Sequence, residues 1–141
     1  MDKIPPPKKG SGKKWEERRR STRLAQSGQG AEELVHAIDS ASFESVVLKS
    51  AIPVVLEFFT VYCPPCREIE PTLDEFAREY KGRVKVARIR MDTNIEISGE
   101  FGVSVAPTLI FFNKGKALAH HLLGPVPKEA IVRELERESL L

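Results

Sequence analysis

Cysteine is scarce in this 141-residue chain: there are two, at positions 63 and 66, and no others. Two cysteines three positions apart cannot staple distant parts of a fold, so a disulfide-built scaffold is excluded. No stretch approaches the ~18 apolar residues of a membrane span. The N-terminus carries charges but has no apolar core and no small-residue cleavage site, so it does not read as a signal peptide. The cytoplasm, where thiols are held reduced, is the expected compartment. There is no large charge excess either, since the net is +2. That small figure hides an asymmetry. Residues 1–30 hold nine Lys or Arg against three acids, a net of +6, and the remaining 13 bases and 17 acids give −4.

The segment 1–30 also lacks apolar residues in any number. It is rich in Pro, Gly, Ser, Lys and Arg, and is expected to be a basic, disordered extension. Its charge fits either a solvated tail or an arm for nucleic acid or an anionic membrane, and the tail is preferred. The rest, 31–141, is long enough for one α/β domain.

The remainder is organised around Val54-Val55-Leu56-Glu57-Phe58-Phe59-Thr60-Val61-Tyr62-Cys63-Pro64-Pro65-Cys66. An apolar run suited to a buried strand leads into a Cys-x-x-Cys, and an amphipathic helix to about Tyr80 follows, with Ile69, Leu73, Phe76, Ala77 and Tyr80 on one face. Thiol–disulfide exchange needs one thiolate to attack and a second thiol close enough to resolve the mixed disulfide. Cys63 at a helix N-cap and Cys66 at N3 would face each other across the first turn. The unpaired N–H groups and partial positive charge of a helix start stabilise a thiolate on Cys63. Pro64 at N1 and Pro65 at N2 donate nothing, which leaves the Cys66 N–H as the nearest donor to the Cys63 sulfur. The thiolate is therefore expected to be less stabilised than it would be with Gly at position 64.

Glu57 interrupts the apolar strand. An ionised carboxylate is expensive to bury unless paired, so Glu57 lies either on an exposed edge or under the cysteine helix. In the second case its pKa is raised and it can take the proton from Cys66. Arg88, on a strand expected over 83–91, is either a solvated arginine or the ion-pair partner of Glu57.

Around these residues the chain, from about 34 to 138, resembles the thioredoxin family. The resemblance rests on Glu57, Tyr62, Cys63 to Cys66, Pro71, and Pro107-Thr108 ahead of an apolar strand. It departs from the family pattern in three places: Glu57 replaces an Asp, Tyr62 a Trp, and Pro64 a Gly. These departures bear on redox potential and partners, not on the fold. The elements read along the chain, in the order β-α-β-α-β-α-β-β-α, give the same architecture as the family, a central mixed β-sheet flanked by helices on both faces. The family implies a cis bond before Pro107 and a substrate surface made of Tyr62, Pro64, Pro65, Ala106, Pro107 and Gly124, with the Ala106 backbone pairing with substrate by strand addition. Arg88 matches a position where the family often has Lys. The implied function is reduction of oxidised protein substrates through Cys63 and Cys66, with no bound cofactor and no metal, and recharging by a flavin-dependent thioredoxin reductase that uses NADPH. Nothing demands more than a monomer.

Three other readings keep the same motif. An oxidant or isomerase would show a more oxidising potential. A module sharing a metal or iron–sulfur cluster between two copies would be coloured or metal-bound, because two thiolates are only half a tetrahedral site. An interaction protein with a redox-gated domain would bind nucleic acid in a salt-sensitive way through residues 1–30.

Overall fold

The computed structural model describes residues 34–141. The basic segment 1–30 and the first three residues of the expected domain lie outside the described residues. The elements run β1 (Val35–Ile38), α1 (Ser40–Phe43), β2 (Val54–Phe59), α2 (Pro64–Glu79), β3 (Lys85–Arg90), α3 (Ile95–Glu100), β4 (Thr108–Asn113), β5 (Lys116–Leu123) and α4 (Lys128–Arg137).

The strand order is β1-β3-β2-β4-β5. Strands β1, β3 and β2 run parallel, while β4 and β5 are antiparallel to their neighbours. This is the mixed sheet expected from the sequence, and β2 lies at its centre. Residues 54–58 of β2 are all buried, so both faces of the strand are covered and the apolar run is continuous rather than alternating.

The alternation of strand side chains divides the core in two. Leu56, Phe58, Ala87, Ile89, Ile110 and Phe112 pack with Phe43 and Val47 on one face. Val55, Val86, Leu109 and Phe111 pack on the other with Ile69, Leu73 and Phe76 of α2 and with Ile131 and Leu135 of α4. Glu57 is two residues from Val55 and so belongs to the α2 face. The cysteine helix therefore roofs the carboxylate.

Local chemistry sets the boundaries. Asp39 caps α1, accepting from the Ser42 N–H at 3.1 Å while Ser42 Oγ accepts from the Asp39 N–H at 3.1 Å. Beyond Phe43 the winding widens to a π-helical segment, Glu44–Leu48, closed by Lys49 N–H to Glu44 O at 2.9 Å. Lys85 Nζ donates to the Val46 carbonyl at 2.9 Å in this segment. A periodic apolar pattern does not distinguish such a widened turn from an ordinary one.

The strand expected over 83–91 is shorter. The N–H groups of Arg83 and Val84 both return to Tyr80 O, at 2.8 and 3.0 Å, so the turn after α2 uses up those residues. Pro71 lies inside α2 without ending it. The β4–β5 hairpin turns through Lys114 and Gly115, both at positive φ (54° and 82°), as a tight two-residue turn requires.

Candidate active site

Cys63 is the N-cap of α2, extended at φ −141° and ψ 91°, and Pro64 and Pro65 occupy the first two helical positions. Proline fits there because its missing N–H would be unpaired in any case. The first available donor is the Cys66 N–H, which reaches Cys63 Sγ at 3.2 Å. The two cysteines are joined as a disulfide with Cα atoms 5.2 Å apart. Cys66 is 2% exposed and Cys63 7%, so Cys63 is the better placed of the two to meet a second molecule.

The loop before β4 closes over this helix start. Ala106–Pro107 is a cis peptide, and the Ala106 carbonyl oxygen lies 3.7 Å from Cys63 Sγ. Thr108 Oγ1 donates to Val105 O at 2.7 Å and the Gly124 N–H to Pro107 O at 2.9 Å, which fixes the loop from both sides. The sequence-predicted residues Cys63, Cys66, Ala106, Pro107 and Gly124 are thus linked by contacts. Pro64 is exposed and Pro65 half-buried beside them. Tyr62 is 91% exposed and offers its ring to solvent immediately before Cys63.

Gly124 sits at φ +82°, and a Cβ built on it would meet nothing within 4 Å. The space over it is open, and only its backbone conformation demands glycine. Gly124→Ala is accordingly expected to cost about 1 kcal/mol of stability, as measured by urea denaturation. A variant as stable as the parent would contradict the conformational account.

Glu57 is fully buried, and of its two alternatives the structure shows the one beneath the helix. Register places it beside Arg88 on β3 and Leu109 on β4. Arg88 Nε donates to Glu57 Oε1 at 3.2 Å, so Arg88 is the ion-pair partner rather than a solvated side chain. Glu57 Oε2 has no hydrogen-bond partner. Burial pushes the Glu57 pKa up to about 7; Arg88 opposes the rise and Glu70 adds to it. A buried carboxyl with one unbonded oxygen, titrating near neutrality, is suited to giving and receiving a proton.

Glu70 is the residue that the sequence reading missed. It stands four positions after Cys66, and its Oε2 accepts from Arg88 Nη2 at 3.2 Å. Being next to Ile69 on an amphipathic helix, it reads from sequence as an ordinary flank residue. The available signal was that its neighbour faces the strand carrying Arg88. Among the described residues, no three His, Cys, Asp or Glu side chains gather as a metal site, and no helix is long and apolar enough to cross a membrane.

A Cys-x-x-Cys at a helix start, faced by a cis-proline loop and underlain by a buried acid on a five-stranded mixed sheet, defines a thiol–disulfide oxidoreductase. Comparison with known proteins gives the family. The thioredoxin family model matches residues 34–137. A thioredoxin from Haemophilus influenzae is 42% identical over 96 residues, 68% of this chain and 88% of the relative. Thioredoxin M-type, chloroplastic, of Chlamydomonas reinhardtii is 37% identical over 101 residues, 72% of this chain and 71% of the relative. Thioredoxin 1 of Synechococcus elongatus is 35% identical over 101 residues, 72% and 94% of the two chains. The chain belongs to the thioredoxin family, and its activity is reduction of protein disulfides.

Proposed function

We propose that Cys63 is the attacking thiol, Cys66 the resolving thiol and Glu57 the proton acceptor for Cys66. The observation that carries this reading is the capping geometry: Cys63 Sγ accepts the Cys66 N–H at 3.2 Å while Cys66 is the more deeply buried of the two.

In the reduced protein the Cys63 thiolate attacks one sulfur of the substrate disulfide. A Cys63–substrate bond forms, and the other substrate sulfur leaves as a thiolate that takes up a proton. Glu57 then accepts the proton of Cys66. The Cys66 thiolate attacks Cys63 Sγ, closing the Cys63–Cys66 disulfide and expelling the second substrate thiolate, which is protonated in turn. Two electrons pass from the protein dithiol to the substrate, so the chemistry calls for no bound cofactor.

Substrate lies along Tyr62, Pro64, Pro65, Ala106, Pro107 and Gly124. The Ala106 backbone pairs with an extended substrate segment, which reads main chain more than side chain. The open space over Gly124 supports that docking. A flavin-dependent reductase using NADPH regenerates the dithiol, the cytoplasm is the compartment, and the chain acts as a monomer. Two M-type relatives are named as chloroplastic; localisation of the tagged protein tests the compartment, and a plastid signal would overturn it.

The order of the cysteines is tested by alkylation. Reduced protein treated briefly with iodoacetamide at pH 7 and mapped by mass spectrometry is expected to carry label on Cys63 first. Equal labelling, or Cys66 first, would overturn the assignment.

A further inference from the structure

One guanidinium serves two carboxylates at the floor of this site. Arg88 Nε goes to Glu57 Oε1 and Nη2 to Glu70 Oε2, both at 3.2 Å. Its Cζ lies 4.0 Å from the centroid of the Phe59 ring, which holds the guanidinium plane in place. The two carboxylates are unlike. Glu57 is fully buried on β2, whereas the Glu70 side chain is 45% exposed on α2.

An arginine left to one carboxylate can grip both oxygens with two parallel N–H donors. Here one donor goes to each partner, and Glu57 Oε2 is left unbonded. That oxygen is where a proton can be received, and a two-donor grip on Glu57 would leave it less basic.

We propose that Glu70 is a positioning residue for the proton transfer: by engaging Nη2 of Arg88 it divides the guanidinium, and so keeps Glu57 a stronger base with one oxygen open. The proposal rests on the reading of Glu57 as proton acceptor given above. Two effects act in the same direction. The Glu70 charge opposes ionisation of Glu57 through space, and the Glu70 hydrogen bond withholds an Arg88 donor from it. The charged groups acting on Glu57 are Arg88 from β3 and Glu70 from α2. Strand β4 sets the apolar Leu109 beside it. The other ionisable group that α2 buries is the Cys66 thiol, which joins them once the disulfide is reduced.

The test uses the full chain with Glu70→Ala, Glu70→Asp and Glu57→Gln. The Glu57 carboxyl carbon is titrated by nuclear magnetic resonance in the oxidised protein, its signal assigned by its loss in Glu57→Gln. The pH profile for resolution of the mixed disulfide, the step in which Cys66 loses its proton, is recorded in single turnovers for each variant. Glu70→Ala, which removes both the charge and the acceptor, is expected to lower the Glu57 midpoint by about one pH unit, and the rising limb of the resolution profile should move with it. Glu70→Asp, which keeps the charge and an acceptor, should restore most of the difference. An unmoved midpoint in Glu70→Ala overturns the proposal, even where Glu57→Gln displaces the limb and so upholds the acceptor reading. A midpoint that moves in Glu70→Ala, with a limb that stays in both Glu70→Ala and Glu57→Gln, upholds the division of Arg88 and overturns the acceptor role of Glu57.

Discussion

Cys63→Ser is expected to lower kcat/KM for reduction of a protein disulfide by at least about three orders of magnitude, to the uncatalysed background. A serine hydroxyl stays protonated at neutral pH and cannot attack sulfur as a thiolate does. Cys66→Ser is expected to fail differently. Its Cys63 still attacks, but no second sulfur stands ready to displace the product. The reaction halts as a mixed disulfide, seen as a substrate-sized increase in mass that added reductant removes. The asymmetry follows from position, because Cys63 caps α2 and Cys66 is buried at N3 behind it. Mixed disulfides accumulating equally in both single variants would sink the assignment, since the two sulfurs would then be interchangeable.

The parts of this site that were legible in the sequence are those governed by local rules. Cys-Pro-Pro-Cys after an apolar run specifies a helix start, because proline at N1 and N2 gives up N–H groups that have no helical partner. The alternation of Val55, Glu57 and Phe59 placed Glu57 on a single face of β2, and coverage of both sheet faces decided that the face is dry. The cis bond before Pro107 was legible only through the family resemblance; the chain around Pro107 offers no local reason for it.

What stayed hidden depends on side chains meeting across the fold. Nothing in the spacing of Glu57, Glu70 and Arg88 announces one guanidinium between two acids, because sheet register and the rotation of α2 together bring them into reach. The turn that shortens β3 is hidden for a similar reason. Val84 looks like the first residue of an alternating strand, yet its N–H is already committed to Tyr80 O. Its side chain is nonetheless buried in the α2-side core, so apolar character alone misplaces the boundary.

The buried acid carries a measurable cost. Relative to Glu57→Gln, the oxidised protein is expected to lose roughly 3 kcal/mol of stability between pH 4.5 and pH 8.5. Glu57 titrates at about 7 when folded, against an ordinary value of 4.5. The folded state therefore holds the proton that the unfolded chain releases. The contribution is fully present below pH 4.5, declines as pH rises toward 7, and is gone above it. The side chain has no solvent exposure, so screening by water does not reduce the effect. Glutamine keeps the shape and still accepts from Arg88, and Arg88 retains Glu70 and the face of Phe59, so the substitution strands no charge. Urea unfolding midpoints at the two pH values, with the disulfide intact and the m-values compared, give the difference. Parallel behaviour of parent and variant would mean that Arg88 holds Glu57 ionised throughout, and the acid would then have no proton to exchange near neutrality. A sloped difference would show a chain that gives up stability at physiological pH to keep a titrating carboxyl beneath its cysteines, the trade expected where a group is retained for chemistry rather than for packing.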